Sequence, residues 1–459
     1  MNRVIKNILS VFVLSIAMVN AFGQEVMTLE ACRKMAIEYN KELKNASYKK
    51  QEAIAQQKVA RTAFLPAIKA DATFMMSAMD DINIPGGFLP TASSAESAQR
   101  GEFTGLSNVY SPGMSLEFDN LNIISGGLSV TQPIYAGGKI ANLNKQANLG
   151  VEISNLGYNL KYSEIIELTD KAYWKLVMIK SNIELAEKYI EMLTEVETQI
   201  TEMYNLGLKP ASEKLRVRVQ KNEAELQLLR VQNGLKVAQM YLNRIIGRDL
   251  NAPVNVVNNE LNVNLIHFED AVETALSERN ELKIRQRQIE LSKYEKKIIM
   301  ADYLPQLGIS AKYSNLYVND IIENNDFKFM LGAQIKIPLF QWGQGYQKKK
   351  IANLKIKQAQ TELTNTADMV SLEVLQVKTK INEASETIKI AKQNITEVEE
   401  SLAETKASFE VGLNSITDLL NSQADWQKAQ SQLISAVAHY KVLQTIWERV
   451  TGRLNPKGL

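Results

Sequence analysis

VSLEVLQVKTKINEASETIKIAKQNITEVEESL, residues 370–402, is the stretch that decides the architecture. Within it Val370, Val374, Val377, Ile381, Ala384, Ile388, Ala391, Ile395, Val398 and Leu402 recur at alternating spacings of four and three. That heptad seam predicts a long helix packed in a coiled coil. The surrounding residues 346–411 hold 66 positions without one Gly or Pro, bracketed by Gly345 and Gly412. A continuous helix of that length reaches roughly 100 Å. An ordinary compact domain spans far less, so the rod is expected to bridge something.

A second rod is expected over 139–206, with Leu168, Ala172, Ile179, Ile183, Ala186, Ile190, Leu193 and Ile200 in register. It breaks at Leu206-Gly207-Leu208-Lys209-Pro210, where Gly supplies a reversal and Pro opens the next helix. The return helix, 211–246, is stopped by Gly247. Alanines in both seams let helices approach closely, and these apolar positions are read as scaffold.

Ahead of each rod the period changes from helical to two. Ile68, Ala70, Ala72, Phe74 and Met76 alternate with Lys69, Asp71 and Thr73, and Leu128 and Val130 with Ser129 and Thr131. Leu307, Ile309, Ala311 and Tyr313 alternate with Ser310, Lys312 and Ser314, and Phe329, Leu331, Ala333, Ile335 and Ile337 with Lys328, Gln334 and Lys336. This is the alternation of strands between lipid and a wet lumen, although a half-buried strand of a soluble sheet looks the same. Residues 28–64 read as one helix with Thr28 as its N-cap, 77–125 as a long loop rich in Gly, Pro, Ser and Asn, and 248–266 as an irregular connector.

Residues 1–23 read as a secretory signal. Arg3 and Lys6 precede an apolar run from Ile8 to Val19, and Ala21-Phe22-Gly23 offers small residues for cleavage. Beyond it no run approaches the ~20 apolar residues of a membrane helix. An exported chain without one is either free or crosses a membrane as a β-barrel. Cys32 lies too far past the apolar run for a lipidated cysteine and is read as a core residue.

Composition narrows the chemistry. Lys plus Arg (53) nearly balance Asp plus Glu (51), which makes no case for nucleic acid. One Cys excludes a disulfide framework, and His267 and His439 leave almost no material for a histidine-centred site. No Gly-rich phosphate loop, paired metal-ligand motif or Gly-x-Ser-x-Gly elbow occurs, so neither an enzyme nor a cofactor or metal is expected.

The programme is written twice. Glu42-Leu43 matches Glu281-Leu282 and Phe64-Leu65-Pro66 matches Tyr303-Leu304-Pro305, offset by 239. Pro133-Ile134-Tyr135 matches Pro338-Leu339-Phe340, Leu206-Gly207-Leu208 matches Val411-Gly412-Leu413, and Gly247-Arg248 matches Gly452-Arg453, offset by 205. The long hairpins are therefore equal in length, and the first strand-to-strand loop is longer by 34 residues, the difference between the offsets. The expected organisation is a signal (1–23), a first repeat (24–250), a connector (251–266) and a second repeat (267–459). Four strands per chain cannot close a membrane barrel, for which about eight is the minimum. Three copies give twelve.

The doubled order, the Leu65-Pro66 and Leu304-Pro305 strand starts, Gln132-Pro133-Ile134-Tyr135-Ala136-Gly137-Gly138 and Phe409-Glu410-Val411-Gly412-Leu413-Asn414-Ser415-Ile416-Thr417-Asp418-Leu419-Leu420 resemble the TolC-like outer membrane efflux proteins. The resemblance implies a mainly α fold with a small transmembrane β part. In a homotrimer, long antiparallel hairpins would form an α-barrel across the periplasm and four strands per chain a twelve-stranded barrel in outer-membrane lipid. It implies a passive exit duct working with a periplasmic membrane-fusion adaptor and an inner-membrane transporter. A structural exported coiled-coil protein is the alternative; it explains the rods but not the strands.

By the same resemblance the two turns form the periplasmic tip. Asp418 matches an acidic ring that gates the tunnel, while the second acidic position is Asn421 here, so the ring carries less charge. Asp418 also stands near the start of a helix, where the dipole favours a carboxylate. Links that close the tip map to Ser212 and Glu213 in one hairpin and Phe409 and Asn414 in the other. Phe409 has no hydroxyl and Asn414 no charge, which weakens that lock; Lys209 near Glu213 is a substitute. Leu206, Gly207, Leu208, Val411, Gly412 and Leu413 form the expected adaptor-docking surface.

Overall fold

The computed structural model describes residues 26–77, 82–116, 121–257, 268–318 and 326–456. The signal reading, His267 and most of the connector lie outside them. In chain order the elements are β1 (Val26–Met27), α1 (Leu29–Tyr39), α2 (Lys41–Thr62), β2 (Ala67–Ser77), β3 (Ile82–Ile84), β4 (Gly87–Thr91), α3 (Ala95–Gln99), β5 (Gly105–Ser111), β6 (Met114–Leu116), β7 (Leu121–Ala136), α4 (Lys139–Asn205) and α5 (Ala211–Ile246). Then follow β8 (Asn255–Val256), α6 (Ala271–Glu278), α7 (Asn280–Ala301), β9 (Gln306–Val318), β10 (Lys328–Lys336), α8 (Gln344–Glu410) and α9 (Ile416–Val450). No helix among the described residues is long and apolar enough to cross a membrane.

Contacts divide the chain into two units. One combines Met1–Gln57, Gln146–Lys293 and Asn353–Leu459, where described, and is helical. The other combines Lys58–Lys145 and Tyr294–Ala352 and holds the main sheet.

In the helical unit, α4 and α8 are both 67 residues long. Each turns back on a shorter partner. Glu197 of α4 accepts from Arg218 and Lys221 of α5 at 2.8 and 3.1 Å, and Glu399 of α8 accepts from Gln430 of α9 at 3.1 Å. The seam from Val370 to Ala391 is buried at every predicted position, and Ile395, Val398 and Leu402 are half-buried. In α4 the buried line includes Ile165, Ile166, Tyr173, Leu176, Leu193, Val196 and Ile200, while Leu168, Ile179, Ile183 and Ile190 are half-buried. One cluster there gathers α4 residues with Cys32 and Ala36 of α1 and Leu242 and Ile246 of α5. A helix with several neighbours needs a wider apolar stripe than a two-helix seam.

The helix expected over 28–64 starts as read, with Ala31 N donating to Thr28 Oγ1 at 3.2 Å, but it is broken at Asn40. Asn40 Oδ1 accepts from the backbone N–H of Glu42 and Leu43, and its Nδ2 donates to Ile245 O at 3.0 Å. One side chain thus caps α2 and ties the junction to α5. Arg279 breaks the second helix pair 239 residues later.

In the other unit the main sheet runs β10-β9-β7-β2, antiparallel throughout. Pairings such as Ile68↔Val130↔Ala311↔Leu331 put the apolar positions of all four strands on one face. Among the sheet's residues that face carries no charge, and Ile68, Phe74, Phe329, Leu331 and Ile335 are each 66–73% exposed. The other face carries Lys69, Asp71, Lys312, Lys328 and Lys336, with Lys312 Nζ 3.9 Å from Asp71. β2 and β10 are its outer strands, each with one side lacking a partner within the described chain.

The segment read as a long loop is more ordered than expected. Its described residues form two short ladders, β3 with β6 and β4 with β5, and the helix α3. A T-shaped pair, Phe88 on Tyr110 at 5.5 Å, braces the β4–β5 ladder.

Candidate functional site at the paired helical turns

Both long helices end in the same backbone device. In the first turn Gly207 N donates to Tyr204 O and Leu208 N to Met203 O, each at 2.9 Å. In the second, Gly412 N donates to Phe409 O at 3.0 Å and Leu413 N to Ser408 O at 2.9 Å. This is the Schellman closure, whose C′ residue must be left-handed. Gly207 has φ +75° and Gly412 φ +81°. Beside the glycines, Leu206, Leu208, Val411 and Leu413 stand 70–80% exposed. Four large apolar side chains at two adjacent tips form a surface without cover in the single chain.

The two return helices restart differently. Pro210 is the N-cap of α5 and offers no side-chain bond; the ion pair Lys209–Glu213 at 3.3 Å spans that first turn instead. Ser415 caps α9 with a full capping box. Asp418 N donates to Ser415 Oγ at 3.2 Å, and Asp418 Oδ2 accepts from Ser415 N at 3.0 Å and from its hydroxyl at 2.6 Å. These bonds from Ser415 hold the exposed Asp418 carboxyl below its ordinary range. Asp418 therefore has a local structural task, and it remains charged at neutral pH. Asn421, one turn on, and Ser212 are also exposed.

Phe409 and Asn414 end up in different surroundings. Phe409 is 3% exposed, in a cluster with Ile200, Val217, Ile416, Leu419 and Leu420. Lys209 Nζ sits 5.7 Å from the Phe409 ring centroid, so the lysine bound to Glu213 also touches the second hairpin through a cation–π contact. Asn414 is half-buried, and its N–H donates to Ser408 O at 3.3 Å. A further link between hairpins went unread in the sequence: Arg216 Nη1 donates to Thr417 Oγ1 at 2.5 Å. No spacing rule connects positions 201 residues apart.

A set of charges deeper in the helical unit was equally invisible. Asp170, fully buried, takes a two-point bond from Arg33, with Nε to Oδ1 at 2.8 Å, and a bond from the Thr445 hydroxyl at 2.5 Å. Glu373 accepts from Arg449 at 2.8 Å and from Arg279, which also grips Glu281. Burial works to raise the Glu373 carboxyl, but bonds and charge from Arg279 and Arg449 outweigh it and bring it below the ordinary range. Burial pushes the neighbouring Glu448 up. These ties join α1, α4, α8 and α9 and the junction between α6 and α7.

The family model described as outer membrane efflux protein matches residues 33–248 and 271–445. No curated protein matches significantly. Among solved structures, the chain is similar to the CmeC outer membrane channel of Campylobacter jejuni, with 19% identity over 93% of this chain and 86% of that one and a TM-score of 0.74. It is also similar to the outer membrane protein VceC of Vibrio cholerae, with 15% identity, 92% and 96% coverage and a TM-score of 0.72. The open state of the Neisseria gonorrhoeae MtrE outer membrane channel matches at 13% identity, 94% and 90% coverage and a TM-score of 0.73. At such identities the likeness speaks for the fold.

Proposed function

The chain belongs to the outer membrane efflux protein family, and from that premise we propose that three copies form the outer-membrane exit duct of a tripartite efflux or secretion system. The observation that carries the trimer is the four-stranded sheet with two open edges and one uncharged, exposed face. Edge strands of this kind invite pairing with another chain, and in lipid every backbone group must find a partner. β2 of one copy pairs with β10 of the next, the uncharged face meets lipid, and three copies supply twelve strands. The strands are 9 to 16 residues long, against the ~9–11 that a tilted crossing needs. The helical hairpins extend into the periplasm, two repeats per chain.

The turns form the periplasmic tip. Leu206, Gly207, Leu208, Val411, Gly412 and Leu413 dock a periplasmic adaptor, which links the duct to an inner-membrane transporter. The closed tip is held by Lys209 between Glu213 and Phe409 and by Arg216 on Thr417, with Ser212 and Asn414 beside them. Three Asp418 carboxylates, with Asn421 adding no charge, attract cations to the entrance. The duct conducts passively and catalyses nothing.

Single-channel recording on trimers in planar bilayers tests this reading. Arg216→Ala with Lys209→Ala is expected to raise conductance severalfold by releasing the hairpins. Asp418→Asn is expected to weaken block by divalent cations added on the tip side. Conductance unchanged in the double variant removes the lock, and block unchanged in Asp418→Asn removes the ring. Protein recovered as a soluble species that forms no channels returns the structural coiled-coil alternative.

A further inference from the structure

The polar face of the sheet is not electrically neutral. Its four strands place Lys69, Lys312, Lys328 and Lys336 there against a single acid, Asp71, a net +3 per chain. The same sign continues past the strand ends. A cavity of about 380 Å³ beside Gln306 and Lys336 is lined by Lys139 and Lys348 together with Asp302, Gln341 and Gln344. Lys139 Nζ is 2.8 Å from Asp302, and Lys348 Nζ lies 5.7 Å from the Tyr303 ring centroid. The opposite face of the sheet has no charge to offset this.

We propose that the barrel wall is a cationic stretch of the duct that favours anionic cargo (organic carboxylates, sulfates or phosphates) on its way out. The proposal rests on the duct reading, in which this face lines the lumen. Its sign is opposite to that of the acidic entrance, so the two ends of one path select differently. Three copies give the wall a net +9 from its strands. A wall of one sign around a water-filled bore raises the local concentration of counter-ions.

One feature opposes it. The connections at the far strand ends are acidic in sequence: 78–120 holds six acids and one Arg, and 319–327 three acids. Lys336 lies eight residues along β10 from Lys328, roughly 27 Å. That is about three Debye lengths at 0.15 M salt, so acids near the far end are screened from the Lys336 row. The wall therefore sets the local sign at that depth.

Cysteines at adjacent positions of β10 test both levels in folded trimers in vesicles at 0.15 M salt. The probes are the anionic sulfonatoethyl and cationic trimethylammonioethyl methanethiosulfonates, each rate divided by that for a free thiol. Gln334→Cys, on the charged face beside Lys336, is expected to react about threefold faster with the anionic reagent. The preference is expected to fall toward unity at 1 M salt and in the Lys336→Gln background. Ala333→Cys, on the uncharged face, is expected to react with neither. Equal rates at Gln334→Cys, or a cationic preference, with Ala333→Cys still silent, overturn the cationic wall and leave the duct standing. Ala333→Cys reacting as fast as Gln334→Cys overturns the lipid-facing sheet, and the wall with it.

Discussion

The helical unit and the sheet unit differ in what a single chain can complete. The helical unit satisfies its seams, three apolar clusters and the Arg33–Asp170–Thr445 tie within one chain, but it too leaves apolar side chains exposed, among them Leu215, Val219, Leu229 and Val237 of α5 and Leu372 and Leu375 of α8. The sheet unit leaves Ile68, Phe74, Phe329, Leu331 and Ile335 exposed on one face and two strand edges open. The difference teaches where assembly is needed. Helices satisfy their own backbone, whereas a four-stranded sheet in lipid cannot.

Removing the buried carboxylate tests the internal ties of the helical unit most severely. Asp170→Ala leaves the Arg33 guanidinium, 17% exposed, without its partner. The expected loss is about 3–5 kcal/mol of stability in denaturant unfolding of detergent-solubilised protein. A loss under ~0.5 kcal/mol, the level of an ordinary surface site, would mean the tie is not structural.

Charge placed on the two faces of the sheet comes next. Leu331→Arg, on the uncharged face, is expected to cost about 2–4 kcal/mol of membrane insertion if that residue meets lipid. It should appear as loss of the heat-modifiable band in outer-membrane fractions. Gln334→Arg, three positions on and on the other face, is expected to insert normally. Equal behaviour would erase the distinction between faces.

Smaller effects separate the two turns within the helical unit. Gly207→Ala and Gly412→Ala each force an L-residue into the left-handed region, at about 1–2 kcal/mol, with open space around both glycines. Ser415→Ala removes a cap worth about 1 kcal/mol, and Ala at Ser212, which caps nothing, is expected to cost nearly nothing. Thermal melts of the four variants give the ranking.

The smallest effect is with pH. The folded Glu373 carboxyl lies below its ordinary value near 4.5. Its stabilising contribution is therefore complete above that value and lost as pH falls through the depressed one. Glu448, raised by burial, works the other way: its protonation as pH falls through the raised value favours the folded state. In Glu373→Gln the loss of stability on acidification should be shallower than in the parent, a difference read from melts at pH 3 to 6.

Much of this contrast was legible in the residues. Period-two alternation located all four strands of the main sheet, and Gly207, Gly247 and Gly412 located the helix ends, because both signals are local. What the sequence hid depends on distant partners. Asn40 breaks the first helix by capping the next while bonding Ile245, and Arg216 meets Thr417 only after two hairpins pack. The short ladders of 82–116 carry no alternation, since their strands are too short for a periodic face. At the tip, Ser415-Ile416-Thr417-Asp418 is a visible capping sequence, so the bond that restrains Asp418 could have been read directly.

The most direct test of the assembly is disulfide trapping between copies. Cysteine pairs are scanned along 70–74 of β2 against 331–335 of β10, positions too far across the sheet to meet within one chain. Native Cys32 does not interfere, being buried with its thiol pushed up to about 12. Oxidation in membranes should produce a ladder that ends at a trimer for at least one register. A ladder that stops at monomer or dimer in every register would contradict the twelve-stranded duct.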